Sequence, residues 1–203
     1  MDLTLLAGLA VAAAAMGSMF AFGRRHFWAR AALAGAIIGG FGAVAEHDRL
    51  GDYLRPTVAD VTIGVGAAAL LYLVFRAGDR LLARVFPKLS DEVLDLYRLR
   101  SPSTGIPGMI TVVAACEELF WRGFVQARSG LLVATLGYAL VLVWERKLVL
   151  IVAALVYGAT WGALFAWRDT LVAPVLSHVL WDLAIMVFLP VRTAREPSPP
   201  TTV

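Results

Sequence analysis

Apolar residues run along this chain in blocks of about twenty, separated by short clusters of charge. The blocks fall at about 3–22, 27–45, 57–76, 106–127, 129–144, 148–167 and 170–190. The first, Leu3 to Phe22, is twenty residues without a charge, long enough to cross a hydrocarbon core of about 30 Å as a helix. Seven such blocks consume most of the chain and leave no room for a large extramembrane domain. The expected fold is all-α: one polytopic transmembrane bundle over 1–190, with about seven spanning helices. A tail over 191–203, ending in EPSPPTTV, is expected to be disordered. No internal repeat is visible.

The stretch from Asp79 to Arg100 has a different pattern. Leu81, Leu82, Val85 and Phe86, then Leu89, Val93, Leu94 and Leu96, alternate with charges of both signs. It reads as one or two amphipathic helices lying on the cytoplasmic surface. A turn over Ser101 to Pro107 follows, with Pro107 suited to a first helical turn.

Composition agrees with the membrane reading. Of 203 residues, 60% are hydrophobic and only 16% are charged, against about a quarter charged in soluble chains. Cys116 is the single cysteine, so a disulfide scaffold is excluded. The net charge of +3 is too small and too dispersed for a nucleic-acid footprint, and its distribution suits the positive-inside rule instead. Alternating crossings put Arg24, Arg25, Arg76, Arg80, Arg84, Lys88, Arg98, Arg100, Arg146, Lys147, Arg192 and Arg195 on one side. Only Arg49, Arg55, Arg128 and Arg168 fall on the other. The first side is therefore expected to be cytoplasmic, with the N-terminus outside and the C-terminus inside. A secretory signal peptide carries positive charge ahead of its apolar stretch, whereas here Asp2 leads and Arg24 follows. The first block is read as a retained helix. Usage rich in Ala and Arg suggests a bacterial inner membrane.

Five polar residues stand where lipid should forbid them. Glu117, Glu118 and Arg122 lie in CEELFWRGF, and His178 and Asp182 in SHVLWDL. An ionisable group at membrane depth costs roughly 2.5–3.5 kcal/mol on insertion scales and marks a functional site by default. These groups must face the interior and satisfy one another. Glu118 and Arg122 are four apart, acid first, which favours an ion pair on one helical face. Glu117 points about 100° away. His178 and Asp182 share a face of their own helix. A structural polar knot is one reading, but a knot needs only the ion pair, and an acid and an imidazole are left over. Two neighbouring carboxylates in a low dielectric resist joint ionisation, the tuning that a water-activating base requires.

Other chemistries lack residues. The three histidines are His26, His47 and His178, with no HExxH, so no metal site is expected. His26 and His47 sit among charges and read as solvated. Cys116 reads as a packing residue. No GxSxG or phosphate-binding loop appears, and no cofactor is implied. The glycines of the first three blocks and the sixth read as helix-packing sites.

EELFWRG, followed by HVLWD, resembles the CPBP family of CAAX-prenyl-protease-like (type 2, Abi) and bacteriocin-processing intramembrane enzymes. Glu117, Glu118 and Arg122 match its EExxxR motif, and His178 and Asp182 match its HxxxN/D motif. The resemblance covers about residues 105–190. It implies an intramembrane CAAX-type endopeptidase acting on a membrane-associated peptide or protein. Glu117 would be the water-activating base and Glu118 with Arg122 the structural pair. His178 would stabilise the oxyanion or orient it, and Asp182 would either stay protonated or orient His178. The middle motif, FxxxH or YxxxH, is best matched by Tyr138-Ala-Leu-Val-Leu142, with Leu142 in the histidine position. Loss of such a partner typically costs about 10²–10⁴ in rate. An engineered inactivation, a natural pseudoenzyme and a divergent motif all remain open as explanations. The leading expectation is an impaired intramembrane peptidase. Its competitors are a non-catalytic protein that binds a partner helix or lipidated tail, and a small transporter, which would need paired repeats.

Overall fold

In a computed structural model of the chain, residues 2–21, 26–97 and 105–189 are described. Within them the structure is helical and contains no strand. Helices α1 (Leu3–Ala21) and α2 (Phe27–Ala45) pack together, and a short helix α3 (Leu50–Tyr53) closes the loop behind them. Next come α4 (Val58–Val85), α5 (Pro87–Tyr97) and α6 (Ile106–Glu118). A π-helical stretch, Leu119–Gln126, joins α6 to α7 (Ala127–Val141), and α8 (Leu148–Arg168) and α9 (Val172–Leu183) complete the bundle.

Four helices are long and apolar enough to span a bilayer outright: α1, α2, α4 and α8. The run Ile106–Glu145 is also one apolar stretch of 40 residues, but it is a hairpin. At its middle Gly130 has φ 84° and ψ 169°, a conformation that no helix contains. The rings of Trp121 and Tyr138 then meet at 5.8 Å, although seventeen residues of straight helix would hold them about 25 Å apart. Counting that hairpin as two crossings and adding the apolar stretch Val172–Phe188 gives seven. The expected transmembrane bundle is thus the observed one. Its outer surface carries large apolar side chains such as Leu33, Leu70, Leu73, Leu132 and Leu140, as a lipid-facing surface must.

One expectation changes. The third span was placed at 57–76, with an amphipathic element starting at Asp79. Instead α4 continues unbroken to Val85, 28 residues in all. A single Gly78 does not stop a helix, and no proline falls within Val58–Val85. Pro87 does end it, because the residue before a proline is driven out of the helical region; Phe86 has φ −131° and ψ 70°. Only α5 is a separate amphipathic helix. Arg24, Arg25, Arg98, Arg100, Arg192 and Arg195, the turn at 101–104 and the tail 191–203 lie outside the described residues.

Polar ties fix the helix ends. At the start of α4, Thr57 and Asp60 form a capping box, while the other Asp60 oxygen accepts from Arg168 Nε at 2.8 Å, joining α4 to α8. Arg128 donates to Glu46 at 2.8 Å, to the Ala45 carbonyl at 3.1 Å and to Asp2 at 3.2 Å, gathering α1, α2 and α7. The backbone carbonyl of Tyr53 accepts from Leu171 N and Thr170 Oγ1, at 2.9 and 2.8 Å, which sets the entry to α9. At the opposite end of the bundle, α5 is pinned to the start of α8. Lys147 Nζ donates to Asp95 at 2.6 Å and Val149 N to Glu92 Oε2 at 3.0 Å.

The Gly130 turn yields a direct test. Its φ/ψ belongs to a region that is essentially reserved for glycine, and a side chain there costs on the order of 1–3 kcal/mol. Gly130→Ala is expected to lower the unfolding midpoint in detergent by several degrees. Gly40→Ala, where an added methyl meets nothing within 4 Å, should leave that midpoint nearly unchanged.

Candidate active site

The site is assembled by a close helix contact and a local change of winding. Along α2, Gly35, Gly39 and Gly42 face Val113, Cys116 and Phe120. A Cβ on Gly39 would stand 2.6 Å from Cys116 Cβ, so only glycine lets α6 lie this near. Cys116 is thus a packing residue on the α2 side, which leaves the next residue, Glu117, to turn inward. Beyond Glu118 the chain winds as a π-helix, and every residue from Phe120 to Gln126 is buried.

Glu118 and Arg122 form the expected pair, Oε2 to Nε at 3.2 Å, with both side chains almost fully enclosed. Arg122 Nη2 also donates to the Gly158 carbonyl on α8 at 3.1 Å. Four residues on, Gln126 Nε2 donates to the Gly162 carbonyl at 2.7 Å. Those two carbonyls are reachable because neither residue carries a side chain: a Cβ on Gly162 would lie 2.7 Å from Gln126 Oε1. The guanidinium carbon stands 5.2 Å from the Tyr138 ring centre and 5.7 Å from that of Trp161, so its charge faces two π-systems.

The second oxygen of Glu118 reaches α9. Oε1 lies 2.8 Å from His178 Nδ1. One carboxylate therefore joins Arg122 to the imidazole, a link the spacing alone did not disclose. Trp161 stacks on His178 with ring centres 3.6 Å apart and planes 18° apart, and its own Nε1 donates to Ser177 Oγ at 3.2 Å. Asp182 Oδ2 lies 3.6 Å from His178 Nε2, near enough for charge attraction but beyond a hydrogen bond. The bond that orients the ring comes from Glu118, and Asp182 faces the other nitrogen.

Glu117 turns away from this pair, as the 100° offset requires, and is 5% exposed. It lines a cavity of about 210 Å³ together with His178, Asp182, Tyr138, Tyr157 and Leu142. The remaining wall is apolar and adaptable, including Met16, Met19, Phe27, Trp28 and Met186, with Val93 contributed by α5. Glu117, His178 and Asp182 thus line one space, and Leu142 is on the wall of the same cavity. His26 and His47 lie elsewhere and are exposed; His47 pairs with Asp48 at 2.9 Å.

Residues 101–184 match the family described as Type II CAAX prenyl endopeptidase Rce1-like. The resemblance seen in EExxxR and HxxxD is borne out over that segment. The matched segment contains Glu117, Tyr138, Leu142, His178 and Asp182, while α1, α2 and α4 precede it. Nothing matches among curated proteins or among solved structures. Sequence reasoning gave no role to Tyr138, Trp161 or Gln126. Gly158-x-x-x-Gly162 was read as packing alone, yet its small-xxx-small spacing also announces an exposed strip of backbone.

Removing one partner of a buried ion pair strands the other, at a typical cost of about 3–5 kcal/mol. Arg122→Met should therefore strongly destabilise the detergent-solubilised protein in thermal unfolding. Adding Glu118→Gln should recover part of the loss, since the charge left behind is then gone. Wild-type stability in the single variant would show that the pair does not hold the bundle.

Proposed function

We propose that the chain is an intramembrane endopeptidase of the CAAX-protease type, with Glu117 as general base and its turnover held low by Leu142. One observation carries this reading: Glu117 and His178, from separate helices, line the same cavity. Match to an Rce1-like region supports the reaction class.

The chemistry follows from the donors and acceptors available. Ionised Glu117 takes a proton from a water in the cavity, and the resulting hydroxide adds to the carbonyl carbon of a peptide bond. The carbonyl oxygen becomes an oxyanion. As an imidazolium His178 has two N–H donors; Nδ1–H is committed to Glu118, and Nε2–H serves the oxyanion. Asp182 lies on the Nε2 side of the ring, at 3.6 Å. When the tetrahedral intermediate collapses, the C–N bond breaks, Glu117 passes its proton to the leaving amine, and a carboxylic acid and an amine are released. Leu142 contributes neither donor nor acceptor, so the water is held by one acidic group alone. The face of the bundle bearing α5 is proposed as cytoplasmic, which would put the part of the cavity lined by Val93 toward that side.

The test is a gain of function. In proteoliposomes, Leu142→His is expected to raise cleavage of membrane-anchored peptides by about 100-fold or more, within the range for a restored acid–base partner. Glu117→Gln should abolish the gain. Should Leu142→His cleave nothing in a Glu117-dependent way, the site is one for binding a membrane partner rather than for hydrolysis.

A further inference from the structure

Helix α4 is longer than a bilayer requires. Its 28 residues rise about 42 Å at 1.5 Å each, against a hydrocarbon core of about 30 Å. Its start is fixed, because Thr57 and Asp60 cap it and Asp60 accepts from Arg168. The exposed Trp167 ring lies 5.7 Å from that guanidinium, and exposed tryptophan marks the level of a membrane boundary. About twenty residues from Val58, enough to cross the core, reach Ala77. The remainder of α4, from Gly78 to Val85, therefore extends into the headgroup layer on the opposite side.

That end of α4 carries charge of one sign. Beyond Asp60 its exposed charges are Arg76, Arg80 and Arg84, and its one later acid, Asp79, is buried. Spaced by four, the arginines fan over about 80° of the helix surface, with successive Cβ atoms about 6 Å apart. None of the three has an ion-pair or hydrogen-bond partner among the described residues. Leu81 and Val85 each follow an arginine and so lie about 100° further round. With Phe86 at the helix end they are 62, 54 and 56% exposed. Helix α5 adds Lys88 but also the exposed Asp91, so the unanswered charge is that of α4.

Cations beside bare apolar side chains suit neither bulk water nor hydrocarbon. A lipid headgroup layer answers both, since acyl chains take the apolar flank and phosphate oxygens take the guanidinium forks. A second surface at the same end agrees. Lys147 is bonded to Asp95 of α5, which sets the loop between α7 and α8 beside the helix that follows α4. Trp144, Arg146 and Leu148 of that loop are exposed, the pairing of tryptophan and arginine found at headgroup level.

We propose that Arg76, Arg80 and Arg84 form a binding site for an anionic phospholipid. Its phosphate is held between arginines one turn apart, and an acyl chain lies along the exposed Leu70, Val74 and Leu81, which share one flank of α4. The site is apart from the cavity and does not depend on the peptidase reading. Its signature is preference, because a zwitterionic lipid offers the same phosphate with a cation already beside it. Each arginine near an anionic surface contributes roughly fivefold in affinity.

The test offers the purified full chain, in a neutral detergent, equal amounts of phosphatidylglycerol and phosphatidylcholine with identical acyl chains. Bound lipid is counted by native mass spectrometry. The native chain is expected to retain phosphatidylglycerol at least fivefold over phosphatidylcholine, with the ratio shrinking as salt is raised. Arg76→Gln, Arg80→Gln and Arg84→Gln together should bring the ratio below twofold. Arg49→Gln with Arg55→Gln, at the other end of the bundle, should leave it at the native value. Should the triple variant not fold, Arg80→Gln alone is read in its place: a twofold or greater loss of preference supports the site, and an unchanged ratio overturns it. No preference in the native chain, or a preference that survives the triple variant, overturns the inference. So does arginine-dependent pairing of two copies without lipid preference, which would make the stripe a protein contact.

Discussion

A guanidinium enclosed within a membrane bundle must have its charge answered from every direction, and Arg122 imposes that demand on the rest of the structure. Glu118 supplies the countercharge from the preceding turn, Gly158 a carbonyl from α8, and Tyr138 and Trp161 their ring faces. Glu118 passes the constraint on to His178. Helices α6, α7, α8 and α9 are thus tied to one charge, at the depth where lipid would punish any displacement. The cavity beside it takes its shape from those four commitments. Leucine at 142 can occupy its wall without unfolding the bundle because the tie does not pass through that position.

The N-terminal helices contribute no motif residue, yet they decide where the motif lies. The glycine seam of α2 draws α6 close enough that Cys116 fills one side and Glu117 is left to face inward. Met16 and Met19 of α1, with Phe27 and Trp28 of α2, then form the apolar part of the cavity wall. The match to a family region begins only at residue 101, but the space in which its acids sit is built by both halves of the chain.

Much of this was legible in the sequence. Charges inside apolar blocks marked Glu117, Glu118, Arg122, His178 and Asp182, and four-residue spacing paired two of them correctly. Block length gave the number of crossings, including the two in Ile106–Glu145, which composition alone runs together. What escaped depends on three dimensions. The π-helical winding of Leu119–Gln126 leaves no trace in a pattern of apolar residues, because every residue from Phe120 to Gln126 is buried. The carbonyls of Gly158 and Gly162 act through what those residues lack. Tyr138 was visible as the first letter of a motif, but its place on the cavity wall depends on how the hairpin closes at Gly130. The length of α4 was misjudged because charge suggested an interface at Asp79, whereas backbone geometry ends the helix only at Phe86.

The indole lying flat on His178 has a kinetic consequence. Exchanging the two imidazole nitrogens requires a half-turn about the Cβ–Cγ bond, and midway through it the ring stands perpendicular to its resting plane. With Trp161 stacked at 3.6 Å, that intermediate orientation would drive the imidazole edge into the indole. The flip requires the indole to move off the ring. While it stays in place Nδ1 and Nε2 are distinct groups, one facing Glu118 and the other Asp182.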